Sequence, residues 1–75
     1  MLKLYTTSHC HLCETALKLV LQQCKAEQVA LIEIADNPNL MDVYGTRIPV
    51  LQREDTLDEL YWPFDALQLS EFLSA

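Results

Sequence analysis

Residues 2–13 read LKLYTTSHCHLC, which places two cysteines directly after a short apolar run of β-forming residues. The run Leu2 to Thr6 predicts a strand. A helical pattern starts at about Cys10, so Cys10 is expected at the N-terminus of a helix and Cys13 one turn inside it. Unpartnered backbone N–H groups and the helix dipole favour a thiolate at the first position. Cys10 is therefore the candidate nucleophile, and Cys13 is the second thiol that disulfide exchange needs within reach.

The residues after this motif predict a strand–helix–strand unit. Leu17, Val20 and Cys24 recur at helical spacing, which indicates an amphipathic helix from about Cys10 to Lys25. Residues 29–34 are nearly continuously apolar, as is typical of a strand that is covered on both faces and runs parallel to the first. The crossover between the two strands is expected to be right-handed.

The second half of the chain predicts one more helix, a hairpin and a closing helix. The signals are Asp36-Asn37-Pro38 before a helix from about Pro38 to Tyr44, strands at residues 48–52 and 57–61 around a polar turn, and a capping-box spacing of Asp65 and Gln68 in a helix over residues 64–73. The order β-α-β-α-β-β-α predicts an α/β fold with a four-stranded mixed sheet flanked by helices. We expect a single domain over residues 1–75.

Composition restricts the partners and the compartment. The 75 residues carry 11 acidic and 5 basic side chains, and this net charge of −6 disfavours nucleic acid. No apolar run approaches the ~20 residues of a membrane span, and the first residues lack a secretory pattern. Three cysteines are an odd count for a disulfide-stapled secreted domain. We therefore expect a cytoplasmic protein that contacts no membrane, and we expect it to be a monomer.

Three segments carry a resemblance to a known family. They are Leu-Tyr-Thr-Thr-Ser-His-Cys-His-Leu-Cys-Glu at residues 4–14, Tyr-Gly-Thr-Arg-Ile-Pro-Val-Leu at residues 44–51, and Trp-Pro-Phe-Asp at residues 62–65. With them the chain resembles the thioredoxin-fold superfamily in its minimal glutaredoxin form, and most closely a small bacterial glutaredoxin-like family of largely unassigned function. The resemblance implies a redox-active centre with Cys10 as nucleophile and Cys13 as resolving thiol. It also implies a cis Ile48–Pro49 bond beside the thiols, where the Ile48 backbone pairs with a bound peptide or glutathione.

Glutathione is the point on which the resemblance and the residues disagree. Glutaredoxins that use glutathione usually carry Cys-Pro-Tyr-Cys, a lysine shortly before the first cysteine, and a Gly-Gly turn followed by an acid. This chain has Cys-His-Leu-Cys, Thr7 at the lysine position, and Trp62-Pro63-Phe64 in place of the glycines. Arg47 and Asp65 remain as candidate contacts for a ligand carboxylate and ammonium, although a solvated charge and a helix cap are their ordinary roles. We expect no bound cofactor and only weak glutathione binding, with a protein disulfide as substrate and a reductase or small thiol as reductant.

The remaining reactive side chains leave alternatives open. If protonated, His9 and His11 would favour the Cys10 thiolate, but exposed loop and helix-start positions are equally ordinary for them. A zinc site needs a second ligand pair, for which only these histidines and the distant Cys24 are available, so no metal is predicted. Cys24 is expected to be a small buried apolar residue, with a modifiable or intermolecular thiol as the alternative. The leading function is a thiol-disulfide oxidoreductase, and the alternative is a non-catalytic thioredoxin-fold module for binding or redox sensing.

Overall fold

The computed structural model describes residues 1–74, which form one four-stranded sheet with α-helices packed on it. The strands are β1 (Leu2–Thr6), β2 (Val29–Glu33), β3 (Val50–Arg53) and β4 (Glu59–Tyr61), and the helices are α1 (His11–Leu21), α2 (Pro38–Tyr44) and α3 (Ala66–Ser74), with a 3₁₀ helix at Ala26–Gln28. The predicted order β-α-β-α-β-β-α is confirmed.

The sheet is mixed and has β1 in its interior. The strand order is β2-β1-β3-β4, with β1 parallel to β2 and antiparallel to β3, and with β3 antiparallel to β4. Leu4 on β1 lies opposite Leu31 on one side and Leu51 on the other. Because β1 is an interior strand, the loop that follows it leaves from the middle of one end of the sheet.

The two faces of the sheet have separate cores. On one face, Leu4 and Leu51 pack with Val20 of α1 and Leu69 of α3, and all four are fully buried. On the other face, Tyr5, Ile34 and Val50 pack against Tyr44 of α2. Alternation of side chains along β1 produces this division, because neighbouring residues of a strand point to opposite faces. Each fully buried leucine contributes roughly 1.5–3 kcal/mol relative to an exposed one.

The expectation that both faces of β2 are covered is wrong. This strand lies at the edge of the sheet, and Leu31 at its centre is 56% exposed. The helices pack mainly on the interior strands, so the edge strand β2 keeps part of its apolar surface exposed to water. The continuous apolar run identified the strand correctly but not its position in the sheet.

Several predicted element boundaries also move. The first helix ends at Leu21 instead of Lys25, because the N–H groups of Gln22 and Gln23 turn to the carbonyls three residues earlier. The third strand begins at Val50, since Pro49 has no N–H to donate to a ladder. The fourth begins at Glu59, because Leu57 has a left-handed φ of 63°. The last helix begins at Ala66 instead of residue 64. The short helix Pro38–Tyr44 has the predicted bounds.

Candidate active site

Cys10 and Cys13 are joined as a disulfide at the start of α1, with their Cα atoms 5.2 Å apart. Cys10 is the N-cap residue, and its Sγ accepts a hydrogen bond of 3.2 Å from the N–H of Cys13. Cys10 is half-buried, whereas Cys13 is only 3% exposed. An approaching thiol or disulfide therefore reaches the Cys10 sulfur first, and the Cys13 sulfur lies behind it.

The two histidines flank Cys10 in the sequence and are both exposed, and His9 lines a cleft beside Cys10. His9 has a left-handed φ of 59° in the loop between β1 and α1. The side chain of His11 is 98% exposed, and its Nδ1 lies 3.7 Å from Oε2 of Glu14. Within residues 1–74, neither imidazole forms a hydrogen bond with a cysteine sulfur. Their influence on the Cys10 thiolate stays a prediction.

Glu33 is a site residue that the sequence analysis missed. One of its carboxylate oxygens accepts from the N–H and the hydroxyl of Ser8, each at 3.1 Å, and the other accepts from the N–H of Ala35 at 3.1 Å. The bond from Ala35, followed by interactions with the Thr7 side chain and with Ser8, lowers the pKa of Glu33. Glu33 thus ties the loop that carries Cys10 to the end of β2. The available signal was an acid near the end of an apolar strand that is predicted to run parallel to the strand before the Cys-x-x-Cys motif.

A cleft of about 450 Å³ lies beside the Cys-x-x-Cys motif on the side of β4, and we call it the aromatic cleft. Its lining residues are Leu12, Thr46, Arg47, Ile48, Tyr61 and Trp62. It brings two predicted ligand-binding residues, Arg47 and Ile48, together with Leu12, one of the two residues between the cysteines. Pro49 is fully buried behind Ile48, and the Ile48–Pro49 bond is cis, as the resemblance implies. The Trp62–Pro63 bond is also cis, and the Trp62 ring packs edge-on against Phe64 with centroids 5.0 Å apart.

A tyrosine–carboxylate cluster supports the wall of the aromatic cleft. Glu59 accepts from the hydroxyl of Tyr61 at 2.6 Å with one oxygen and from the hydroxyl of Tyr44 with the other. Tyr44 also stacks on Tyr5 with centroids 4.1 Å apart. Burial, followed by the bond to Glu59, raises the pKa of Tyr44 above its ordinary value. The bond to Glu59 likewise raises the pKa of Tyr61. Both phenols therefore stay neutral donors near neutral pH.

Asp65 lies apart from the other predicted ligand-binding residues. Its Oδ1 accepts from the N–H of Gln68 at 2.8 Å, and its own N–H donates to Oε1 of Gln68 at 2.9 Å, which completes the predicted capping box. The next residue, Ala66, accepts from the Gln23 side chain at 2.9 Å. Gln23 follows α1, whose 11 residues span roughly 16 Å from the thiols. The start of α3 is thus at the end of α1 remote from Cys10, and ligand binding by Asp65 stays a prediction.

Cys24 is also remote from the disulfide. It is half-buried against the core that contains Val20, and it lines a cleft of about 490 Å³ together with Met1, Arg53 and Leu73. Burial raises the pKa of its thiol, so the protonated form prevails at neutral pH. In the described part of the chain, no three His, Cys, Asp or Glu side chains are grouped as a metal site requires. No helix among residues 1–74 is long and apolar enough to span a membrane.

Comparison with known proteins agrees with this geometry. Residues 1–74 match the family described as Glutaredoxin-like domain (DUF836). The chain is similar to the crystal structure of target protein XcR50 from X. campestris, with a TM-score of 0.89 and 38% identity over 99% of this chain and 96% of that one. It is also similar to the solution structure of protein Ne2328 from Nitrosomonas europaea, with a TM-score of 0.71 and 31% identity over 95% of this chain and 87% of that one. No curated protein matches the sequence.

Proposed function

Because the chain belongs to the glutaredoxin-like domain family, we propose that it is a thiol-disulfide oxidoreductase in which Cys10 attacks and Cys13 resolves. The Cys10 thiolate attacks one sulfur of a substrate disulfide and forms a mixed disulfide, while the other substrate sulfur leaves as a thiolate. The Cys13 thiolate then attacks Sγ of Cys10 and expels the second substrate thiolate. Two electrons pass from the protein dithiol to the substrate, and the Cys10–Cys13 disulfide remains. An external thiol reductant resets it.

One observation carries the proposal, namely the unequal placement of the two sulfurs. Cys10 is half-buried at the helix N-terminus and its sulfur accepts the Cys13 N–H, whereas Cys13 is 3% exposed. A backbone N–H that points at a sulfur stabilises negative charge on it, as does the positive end of the α1 dipole. The same placement shields Cys13 from solvent and leaves it within reach of Cys10 alone. Exposure of the attacking thiol and protection of the resolving thiol are what a two-step exchange requires.

We assign the substrate to the protein disulfides and give glutathione a minor role. The aromatic cleft holds one basic side chain, Arg47, among its described lining residues, which is little positive charge for an anionic tripeptide in a chain of net charge −6. Its wall at Trp62, backed by Phe64, fills the place of the glycine turn that glutathione-dependent relatives use. Leu12 and Tyr61 give the aromatic cleft an exposed apolar surface, which suits the side chains of a polypeptide substrate. We place the reaction in the reducing cytoplasm, carried out by a monomer with no bound cofactor.

The test is a pair of cysteine variants with a matched control. Reduction of a protein disulfide is followed with a thiol reductant in excess. Cys10→Ser should reduce turnover to the uncatalysed rate, because the attacking sulfur is gone. Cys13→Ser, first reduced and then mixed with the substrate after the reductant has been removed, should accumulate a mixed disulfide between Cys10 and the substrate that mass spectrometry detects. Cys24→Ser is the control for a cysteine-to-serine change away from the disulfide and should keep its turnover.

Three results would overturn the proposal. Turnover that survives in Cys10→Ser removes the nucleophile from the mechanism. Alkylation of the reduced protein with limiting iodoacetamide should label Cys10 first, and preferential labelling of Cys13 or Cys24 contradicts the assignment. A wild-type protein that binds substrates but turns none over is instead a binding or redox-sensing module.

A further inference from the structure

A second cleft lies beside the disulfide, between α1 and the edge strand β2. It has a volume of about 340 Å³, and its lining residues include Cys10, Glu14, Leu17, Leu31 and Glu33. We call it the acidic cleft because of the two glutamates. It has no lining residue in common with the aromatic cleft, which begins at Leu12. The two clefts therefore flank the Cys-x-x-Cys motif on opposite sides, and the proposed function uses only the aromatic cleft for recognition.

The charge of this second cleft is negative. Among its described lining residues are two carboxylates, Glu14 and Glu33, one imidazole, His9, and no lysine or arginine. The hydrogen bonds to Glu33 come from neutral donors and hold it as a carboxylate, with its pKa below the usual range. Glu14 is 70% exposed, and its neighbour at 3.7 Å is the solvent-exposed ring of His11. The cleft therefore favours a cationic occupant and opposes an anionic one such as glutathione.

The floor of the acidic cleft is apolar. Leu31 is 56% exposed on the edge strand, and Leu17 of α1 is half-buried beside it. An aliphatic floor with carboxylates at its rim matches lysine and arginine, whose side chains place methylene groups on apolar surface while the charged end reaches a polar partner. An apolar floor next to carboxylates favours lysine and arginine over other side chains, whereas the overall negative charge of the protein attracts any cation.

Building on the proposed function, we infer that the acidic cleft binds a lysine or arginine side chain of the protein disulfide substrate, close to the substrate cysteine that Cys10 attacks. Because Cys10 lines this cleft and Leu12 lines the other, one substrate segment crosses the Cys-x-x-Cys motif and contacts both. The methylene groups of the basic residue lie on Leu31, and its charge faces Glu33 and Glu14. Substrates with a basic residue near the reactive cysteine are thereby preferred.

The experiment compares three disulfide-linked peptide dimers that differ at one position near the cysteine, which is Arg, Gln or Glu. The kcat/KM of each is measured for the wild type and for Glu14→Gln, Glu33→Gln and Leu31→Ser, with a dithiol reductant in excess. The matched control is Glu27→Gln, which removes one negative charge from the 3₁₀ helix, outside the acidic cleft. Taking the ratio of the Arg to the Glu peptide cancels any change in thiol reactivity that a variant causes, including any loosening of the Cys10 loop in Glu33→Gln.

For the wild type we expect an Arg-to-Glu ratio of about threefold or more, typical of partly exposed charge pairs. Each cleft variant should lower the ratio at least twofold, Glu27→Gln should leave it unchanged, and about 0.5 M salt should weaken it. Equal rates for all three peptides overturn the inference and leave the proposed function intact. A ratio that falls as much in Glu27→Gln as in the cleft variants shows general electrostatic attraction and also overturns it. If none of the peptides nor a protein disulfide is reduced, the proposed function itself fails.

Discussion

Replacing Asp65 separates two roles for this residue, helix capping and ligand binding. In the structure it has the first role, because its carboxylate accepts the Gln68 N–H at 2.8 Å and it lies at the end of α1 remote from Cys10. Loss of an N-cap side chain costs about 1 kcal/mol, within a range of ~0.5–2 kcal/mol. The cost is transmitted to the core because α3 carries the fully buried Leu69.

In a domain of this size, ~1 kcal/mol shifts the melting temperature by roughly 4–8 °C. Asp65→Ala should therefore lower the Tm by about that amount. Asp65→Asn should keep most of the stability, since asparagine caps helices about as well as aspartate. Thermal unfolding is followed by circular dichroism with the disulfide intact, and disulfide reduction is measured well below the transition. Both variants should reduce a protein disulfide at the wild-type rate.

The informative variant is Asp65→Asn, which removes the charge and keeps the cap. If it melts like the wild type but loses most of its turnover or raises KM several-fold, the carboxylate binds the substrate and the capping explanation is wrong. If Asp65→Ala leaves the Tm unchanged, the capping box does not stabilise α3. Gln68→Ala is the matched control, because it removes only the reciprocal bond to the Asp65 N–H.

Three further predictions follow from other parts of the molecule. Cys24→Ala should change turnover little and cost ~1 kcal/mol or less in a denaturant titration; a collapse of turnover would give this thiol a chemical role. Reduced glutathione titrated into Cys13→Ser should shift the amide resonances of Arg47 and Ile48 only weakly, and saturation in the low micromolar range would contradict the weak affinity expected here. The pKa of Tyr44 in the folded protein is raised above its ordinary value of 10.0. The protonated Tyr44 hydroxyl therefore contributes its full stabilisation of the fold below pH 10.0, and this contribution is lost as the pH rises through the pKa of the folded state. Unfolding free energies should therefore fall above about pH 10 in the wild type and fall less in Tyr44→Phe, and parallel curves would refute this.

The elements that the sequence predicts well are those set by local chemistry. The position of Cys10 at the start of a helix follows from a strand, a short polar loop and an apolar repeat, all within residues 2–25. The caps at Asn37 and Asp65 follow from side chains that bond to the backbone a few residues ahead. Only their immediate neighbours are needed for these contacts, so one sequence is enough.

The contacts that the sequence did not predict depend on strand order and register. The parallel direction of β1 and β2 was predicted, but Glu33 reaches Ser8 only because the two strands are neighbours in the register that pairs Thr6 with Glu33. Glu59 accepts from Tyr44 and Tyr61 because β4 is the edge strand and α2 covers that face. The remote location of Asp65 depends on the route of residues 62–65 across the core, which no local pattern specifies. Likewise, the apolar run of β2 is the same whether the strand lies inside the sheet or at its edge.

The position of β1 inside the sheet has a consequence for how the protein folds during synthesis. Of the four described strands, β1 is synthesised before the others, yet it lies between β2 and β3, and Leu2 pairs with Arg53. Pairings of such large sequence separation close long loops and slow folding. Until β3 has been synthesised, one edge of β1 has unpaired N–H and C=O groups, and Leu4 lacks its neighbour Leu51. The strand that precedes the Cys10 loop therefore has its full set of partners only after β3 has been synthesised.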